Sequence, residues 1–311
     1  MAYTSIDDPS AYFQTTLYTG QSSGFSITNG GNSDLKPDWI WIKRRDGSAD
    51  HNSFDSSRGT GAHLAQNQTQ AEQTVNGVTA FNSDGFTLST NNDSNYDGGT
   101  FVAWQWKANG GTTASNTDGN ITSTVQANTT AGFSIVTWTG NETSSASVGH
   151  GLGVTPDLVI FKNRSSAYNW IVYLGALGQV SGNWLNAYLN LTNAAEQNSG
   201  IDFTSTLLKP GSGATTNASS MLAYCFNSVQ GYSKFGSYVG NGNASGPFVY
   251  TGFKPAFLMI KDTAAAGNWF ITDHKRNTFN LVDDWVVANG SGAETNYVNA
   301  SSVDYLSNGF K

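Results

Sequence analysis

Charge is scarce in this sequence. Charged residues occupy only 12% of its 311 positions, about half of the share that is usual in soluble domains. The formal net charge is −7, whereas binding to nucleic acid requires a clustered basic surface. The densest basic run, Lys43-Arg44-Arg45, is followed at once by Asp46, and we interpret it as a strand end whose long side chains reach water. The sequence therefore argues against a nucleic-acid-binding protein.

Cysteine and long apolar runs are also nearly absent. The single cysteine, Cys225, allows no intramolecular disulfide and is expected to be a small buried side chain. No apolar run approaches the roughly 18 residues that a transmembrane helix needs. The polar segment from Met1 to Ser10 has neither the basic start nor the apolar core of a signal peptide. We therefore expect no membrane insertion.

Glycine, with 35 residues, and aromatic side chains, at 13%, are abundant instead. Glycine and asparagine supply turn positions, and apolar runs of four to eight residues, such as FSIVTW at 133–138, lie between turn clusters. No long stretch has a helical period, and at most residues 64–75 and 281–288 are expected to form one short helix each. We predict an all-β protein of tandem β-sandwich, jelly-roll-like modules.

One apolar phrase occurs three times, opening on a proline and ending at a lysine six residues later. The copies are KPDWIWIK at 36–43, TPDLVIFK at 155–162 and KPAFLMIK at 254–261. Proline has no amide hydrogen to give to a sheet, which suits the first position of a strand. Repetition at one spacing indicates a tandem array, so we assign the recurring lysines to the architecture of the module.

The segments that flank each copy of the repeated phrase also recur, and they divide the chain into three modules. Module 2 follows a stretch rich in Gly, Ser, Thr and Asn, whereas module 3 follows module 2 directly. Modules 2 and 3 are therefore expected to dock closely, and module 1 to be more independent. The predicted division is an N-terminal segment 1–11, module 1 at 12–108, a linker at 109–120, module 2 at 121–230 and module 3 at 231–311.

Module 3 lacks the apolar strand that closes the other two modules. These closing strands are FVAWQW at 101–106 and MLAYCF at 221–226. The same spacing would place a third one roughly 28 to 32 residues after Glu294, beyond Lys311. We predict that the chain is a piece of a longer protein or that a partner supplies the missing strand.

The string DSNYDG at 93–98 has the start of a calcium-binding loop, with oxygen ligands at positions one, three and five and glycine at six. Asp93, Asn95 and Asp97 are therefore weak candidates for a structural calcium site. Trp104 stands where such a loop needs a bidentate glutamate, and the other modules do not repeat the string. The default interpretation is a hairpin turn, and no other cofactor is expected.

Several motifs of enzymes occur without the context that they need. GQSSG at 20–24 has the spacing of a nucleophile elbow, but a β-like run follows Ser22 where the elbow needs a helix. GHGLG at 149–153 precedes a strand and has no phosphate-binding lysine, so His150 is interpreted as a surface or turn residue. The histidines show no metal-ligand spacing and no common place in the repeat: His51, His63, His150 and His274.

Glutamates recur after alanine in each module, at Glu72, Glu196 and Glu294. Glycosidases use pairs of carboxyl groups, and no second acid recurs here, so we assign these residues to loop-anchoring hydrogen bonds. Some tryptophans are candidates for glycan-stacking platforms, but their strand positions favour core packing: Trp104, Trp106, Trp138, Trp170 and Trp269. We predict that the chain is not an enzyme.

The sequence resembles a family of repeat-containing structural proteins of tailed bacteriophages, common in marine and cyanobacterial phages. The resemblance spans nearly the whole chain and implies no catalytic residues. It rests on SIDDPSAYFQTTLYTG at 5–20, TTAGFSIVTWTGN at 129–141 with VGHGLG at 148–153, and QGYSKFGSYVGNGN at 230–243 with FVYTGFKPAFLMIK at 248–261.

The resemblance implies a virion protein that folds in the host cytoplasm and is then assembled on the particle. The expected role is a tail fibre or tail-associated structural protein that contacts host surface glycans. A capsid-decorating head fibre and a free carbohydrate-binding adhesin are the alternatives. Expected partners are other virion proteins and further copies of the chain, with a trimer favoured.

Overall fold

The regular structure of the molecule is almost entirely β. The computed structural model describes residues 4–143, 145–211, 218–296 and 302–311, so residues 1–3 of the N-terminal segment lie outside it. In these ranges the helical segments are two 3-10 turns, Pro9–Ala11 and Gly175–Leu177. The prediction of an all-β, sandwich-type fold is confirmed.

Module 1 consists of a main sheet and a small sheet. The main sheet has the order β1-β9-β3-β4-β5-β6, and the small sheet has the order β2-β8-β7. The strands are β1 (Phe13–Thr19), β2 (Phe25–Ile27), β3 (Trp39–Arg44), β4 (Asn52–Asp55), β5 (Ala62–Ala65), β6 (Gln73–Thr74), β7 (Val78–Phe81), β8 (Phe86–Leu88) and β9 (Thr100–Trp106).

Module 2 repeats this plan and has three more strands in its main sheet, β10, β11 and β16. The main sheet has the order β10-β11-β12-β21-β14-β15-β17-β16, with β18 also paired to β17, and the small sheet has the order β13-β20-β19. The strands are β10 (Ala114–Asn116), β11 (Ser123–Asn128), β12 (Phe133–Thr139), β13 (Val148–Gly149), β14 (Leu158–Asn163), β15 (Ile171–Tyr173), β16 (Gln179–Val180), β17 (Asn183–Tyr188), β18 (Glu196–Asn198), β19 (Asp202–Phe203), β20 (Leu207–Lys209) and β21 (Ser220–Phe226).

Module 3 has a shorter main sheet. Its order is β23-β24-β25-β26, beside a small sheet of order β22-β28-β27. No described segment of module 3 takes the places of β1 and β9. The strands are β22 (Val249–Tyr250), β23 (Phe257–Lys261), β24 (Trp269–Asp273), β25 (Asp284–Val287), β26 (Thr295–Asn296), β27 (Tyr305–Leu306) and β28 (Gly309–Phe310).

The repeated phrase forms β3, β14 and β23, and in β3 and β14 its continuous apolar character follows from burial on both faces. Trp39 and Trp41 of β3 face a core to which all three modules contribute, here called the central core. Ile40 and Ile42 face a separate core inside module 1. Modules 2 and 3 each have an internal core of their own as well. The main sheets therefore share one core, and the small sheets cover the outer faces.

Two expectations about organisation are wrong. Residues 64–75 contain the end of β5 and all of β6, and residues 281–288 contain β25, so neither forms an α-helix. Module 1 is not more independent, because it contributes to the central core and contacts both other modules. Within residues 109–120, β10 pairs with β11, and the amide of Gly111 donates to Gln126 at 2.7 Å. This segment is tied into the sheet of module 2.

Candidate functional site

Each recurring lysine binds a carbonyl oxygen of a neighbouring module. Lys162 Nζ of module 2 lies 2.8 Å from the carbonyl oxygen of Thr69 in module 1. The amide of Tyr168 donates to the same oxygen at 2.9 Å. The other lysines repeat the contact, Lys43 with Ser291 at 3.3 Å and Lys261 with Thr192 at 3.2 Å. The contacts run from module 2 to 1, from 3 to 2 and from 1 to 3, so the interfaces close a ring.

A buried ring system donates a second hydrogen bond across each interface. The indole Nε1 of Trp170 donates to the carbonyl oxygen of Ala65 at 2.8 Å. Trp269 Nε1 donates in the same way to Tyr188 at 2.9 Å. Both tryptophans stand eight residues after the recurring lysine of their module. They are fully or almost fully buried, so the interface carbonyls are satisfied without water.

In module 1 the same position holds His51. Its Nε2 lies 3.0 Å from the carbonyl oxygen of Val287 in module 3. Trp41 Nε1 donates to His51 Nδ1 at 2.8 Å, which leaves the proton on Nε2 to point at Val287. His51 therefore takes, in module 1, the place that a tryptophan holds in modules 2 and 3.

An asparagine in each module holds the loop that offers these carbonyls. Asn190 Oδ1 accepts the amide of Trp170 at 2.8 Å, and its Nδ2 donates to Asn169 at 2.8 Å. Two residues further along stands Thr192, whose carbonyl binds the lysine of the next module. The equivalent contacts are Asn67 to His51 and Asp50, and Asn289 to Trp269 and Asn268.

The interface between modules 1 and 2 contains a buried ion-pair network. Arg58 is fully buried and pairs with Asp55, and it also binds Glu72 at 2.8 Å. Glu72 in turn binds Arg164 of module 2 at 2.6 Å. Tyr224 of module 2 donates to Asp55 Oδ2 at 2.7 Å. Each buried charge thus has several charge-assisted partners.

The interface between modules 3 and 1 has the same network. Arg276 pairs with Asp273 at 2.6 Å and with Glu294 at 2.8 Å. Glu294 binds Arg45 of module 1 at 2.7 Å, and Trp104 of module 1 donates to Asp273 Oδ2 at 3.0 Å. Glu72 and Glu294 therefore anchor loops, as predicted.

The interface between modules 2 and 3 replaces this network at four positions. Leu174, Leu177, Ala195 and Thr263 stand where the other interfaces have aspartate, arginine, glutamate and arginine. Leu174 belongs to the central core, and Leu177 and Ala195 pack against it. Replacement of a buried ion-pair network by apolar side chains of matching position often leaves stability unchanged or raises it.

The assignment of Glu196 as the third equivalent glutamate is wrong. The amide of Ala195 donates to the carbonyl oxygen of Thr263 at 2.9 Å, as the glutamate amides do at the other interfaces. Glu196 lies one residue later and binds Tyr188 at 2.5 Å and Asn186 at 3.2 Å within its own module. The residue equivalent to Glu72 and Glu294 is therefore Ala195, one position before Glu196. The shared Ala-Glu dipeptide had suggested that Glu196 was the equivalent residue.

Burial sets the electrostatics of the interface residues. Loss of hydration lowers the pKa of Lys43 and of Lys162 to about 8 each, and that of His51 to about 3. Burial acts to raise the pKa of Glu72, but hydrogen bonds from Arg164 and the charge of Arg58 outweigh it and the pKa is lowered. These groups are tuned by packing within the fold.

Three other sequence interpretations concern exposure. Lys43 was expected to reach water, but it is fully buried. The carbonyl oxygens of Arg44 and Ser291 replace the hydration of its amine. His150 is also fully buried, with Nε2 3.2 Å from the carbonyl oxygen of Thr204. Ser22 lies exposed between β1 and β2.

The calcium candidates lie in the loop before β9. Asn95 is buried, and its amide is used on the backbone, accepting from Gln21 at 2.7 Å and donating to Ser23 and Ser89 at 3.0 Å. Burial raises the pKa of Asp93. Within the described ranges, no group of three or more His, Cys, Asp or Glu side chains has metal-binding geometry. The calcium site stays a prediction.

Core packing of the tryptophans is confirmed. Trp106 is partly buried and stacks on Trp39 at 4.4 Å between ring centroids. The other four candidate platforms are buried to 5% exposure or less, which removes their faces from any glycan: Trp104, Trp138, Trp170 and Trp269.

A family model described as "Domain of unknown function (DUF7483)" matches residues 8–311, which include all three modules. The chain belongs to this family. No curated protein and no solved structure matches the chain. In the part of the chain that the structure describes, no helix is long and apolar enough to cross a membrane.

Sequence reasoning missed the asparagines and the ring donors of the interfaces. A signal existed, since an Asn-x-Thr or Asn-x-Ser triplet recurs at 67–69, 190–192 and 289–291. In a chain rich in Asn, Ser and Thr, this signal disappears among triplets of the same composition.

Proposed function

We propose that the chain is a structural protein of a bacteriophage virion, in a tail fibre or another tail-associated position. The observation that carries this proposal is the use of the repeated polar side chains. The recurring lysine, ring donor and asparagine of each module all bind other parts of the protein at or beside the interfaces. Side chains that hold modules together suit a structural protein better than one that acts on a substrate.

The viral setting rests on the resemblance of five segments, spread along the chain, to phage structural proteins. A virion part must persist outside the cell, and the shared core with its buried interface bonds suits that demand. In this proposal the chain folds in the host cytoplasm and binds other virion proteins. It forms a homo-oligomer, with a trimer favoured, and contacts surface polysaccharide of the host.

Localisation on the particle tests the proposal. Purified virions are analysed by mass spectrometry, and gold-labelled antibodies against the protein are imaged by electron microscopy. We expect its peptides in the virion and label on the tail. Label on the capsid would favour a head fibre, and absence from particles combined with glycan binding would favour a free adhesin. Either result would overturn the tail assignment.

A further inference from the structure

One edge of β23 has no partner strand in the described part of the chain. In module 1, β3 lies between β9 and β4, and in module 2, β14 lies between β21 and β15. β23 pairs with β24 alone. Its five residues are all partly exposed, whereas those of β14 are buried throughout. An unpaired apolar strand edge is a template for another strand.

The two complete modules define what fits this edge. In β9, Val102 and Trp104 face the central core, and the small Ala103 faces the internal core of module 1. In β21, Leu222 and Tyr224 face the central core and Ala223 the internal core of module 2, in the same register. The fitting sequence is therefore apolar, apolar, small, apolar, any residue, apolar.

The neighbouring module is adapted to an apolar residue at the fourth place of that sequence. Trp104 and Tyr224 occupy this place in β9 and β21, and each donates a hydrogen bond to an aspartate of the neighbouring module. Because the modules form a ring, the fourth residue of a strand bound to β23 would lie opposite Leu174 of module 2. The side chain of Leu174 cannot accept a hydrogen bond. A polar side chain there would lose its partner.

Space for the residues after such a strand is also present. In module 1 these residues run over Asp38, which accepts the amides of Ala108 and Gly110 at 2.7 and 2.8 Å. The equivalent of Asp38 in module 3 is Ala256, whose carbonyl oxygen accepts the amide of His274 at 3.1 Å. His274 and Lys254 line part of a cavity of about 240 Å3.

Exposed large apolar side chains also concentrate in module 3. Of eleven such residues in the described chain, six lie there, and the two most exposed, Val239 and Phe279, are 88% and 84% exposed. The exposed apolar side chains are therefore most numerous in the module whose main sheet has the unpaired edge.

We propose that the free edge of β23 binds one antiparallel β-strand of a second polypeptide that is not a copy of this chain, with the sequence type given above. The two segments of this type in the chain, in β9 and β21, are already paired in their own modules, so neither of them is the occupant. The bound strand adds main-chain hydrogen bonds to β23 and fills the exposed side of the central core. The proposal does not depend on the virion role.

Binding of short peptides tests the proposal. The probe is TFVAWQW, residues 100–106, with lysines added at both ends for solubility, in a Trp104→Leu version. The matched control carries Ala103→Asp as well, which puts a charge into the internal core. Calorimetry is expected to give at least tenfold weaker binding for the control, and hydrogen exchange at residues 257–261 is expected to slow only with the probe. Equal binding of both peptides, or none, would overturn the proposal.

A variant of the protein and its oligomeric state complete the test. Ile260→Glu is expected to weaken probe binding at least tenfold, and Val180→Ser, an exposed side chain of β16 in module 2, is expected to leave it within twofold. Circular dichroism confirms that both variants fold. Slow exchange at residues 257–261 in a dimer without peptide would assign the edge to a second copy. Loss of probe binding in a form extended past Lys311 would assign it to the same polypeptide. Either outcome contradicts the proposal.

Discussion

A lysine amine is costly to bury unless other oxygens replace its water. Lys162 meets this condition with the carbonyl oxygens of Thr69 and Tyr168, at 2.8 and 2.5 Å. Lys261 makes the equivalent interface bond but is partly exposed. The pair thus allows the same contact to be compared with and without solvent.

Lys162→Met is expected to lower the free energy of unfolding by about 1–3 kcal/mol, because the carbonyl oxygen of Tyr168 loses the lysine as a donor and that of Thr69 keeps only the amide of Tyr168. Lys261→Met is expected to cost less, since water reaches the site. Urea denaturation of both variants measures the difference. Equal costs would show that burial of the carbonyls does not control the contribution.

Buried histidines make stability depend on pH. The pKa of His51 is lowered to about 3 and that of His63 to about 4, chiefly by burial. Below about pH 6.5 these histidines bind protons in the unfolded chain but not in the folded protein. Stability therefore falls as the pH drops from about 6.5 towards the two lowered pKa values. Each histidine contributes at most about 1.4 kcal/mol per pH unit in that range.

His51→Gln keeps an acceptor for Trp41 and a donor for Val287 but does not titrate. The variant is expected to lose less stability than the wild type between pH 6.5 and 4.5. Thermal unfolding at several pH values measures both slopes, and the lowered pKa of Glu72 affects both proteins alike. Parallel curves would contradict the assignment to His51.

The sequence located the recurring lysines but not what they do. Repetition assigned Lys43 to the architecture, while the adjacent arginines suggested a solvated strand end. Its burial depends on a carbonyl of Ser291, which is 248 residues away. A contact of that separation has no local sequence signal.

At the scale of elements, the three interfaces use two different sets of side chains at the same four positions. Two carry an ion-pair network, and the third carries Leu174, Leu177, Ala195 and Thr263 in its place. The sequence contains all of these substitutions, but the offset at Ala195 obscured them. Only the bond from the Ala195 amide to Thr263 fixes the alignment.

Placing these four side chains at the interface between modules 1 and 2 tests whether the two sets are interchangeable. Arg58→Leu alone leaves Asp55 buried without its partner and is expected to cost about 3–5 kcal/mol. The combination Asp55→Leu, Arg58→Leu, Glu72→Ala and Arg164→Thr is expected to cost less than Arg58→Leu alone. Urea denaturation measures both.

Lys209→Leu is the matched control, because it removes an ion pair with Asp202 that is largely exposed to solvent. It is expected to change stability by less than about 1 kcal/mol. A fourfold variant less stable than Arg58→Leu would show that the two sets are not interchangeable.

The segments expected to be helical failed for a reason at this scale. Residues 281–288 contain several apolar positions, but Trp285 and Val286 face different cores on the two sides of β25. Such two-sided burial gives an apolar run that periodicity alone does not distinguish from a helix.

At the scale of the whole molecule, the central core joins modules that the sequence separates. The glycine-rich stretch at 109–120 suggested an independent module 1, yet Trp39 and Trp41 share a core with modules 2 and 3. The composition of a linker indicates how flexible the connection between two modules is. It does not indicate which apolar side chains the modules bury against each other.

The molecule is therefore expected to unfold in one cooperative transition. Calorimetry should give equal calorimetric and van't Hoff enthalpies, and a fragment of residues 1–108 should lack the near-ultraviolet circular dichroism of packed tryptophans. Separate transitions, or a folded fragment, would show that the modules are stable alone.

The ring of contacts has a consequence for how such a protein changes its size. In a solenoid, copies are gained or lost at the ends because each touches only its sequence neighbours. Here the loop that holds Ser291 receives Lys43 from the opposite end of the chain. Deleting one copy would open the circle and leave two faces without partners, and inserting a fourth would force every junction to a new angle. The contacts that close the circle therefore disfavour the gain or loss of a single copy within it.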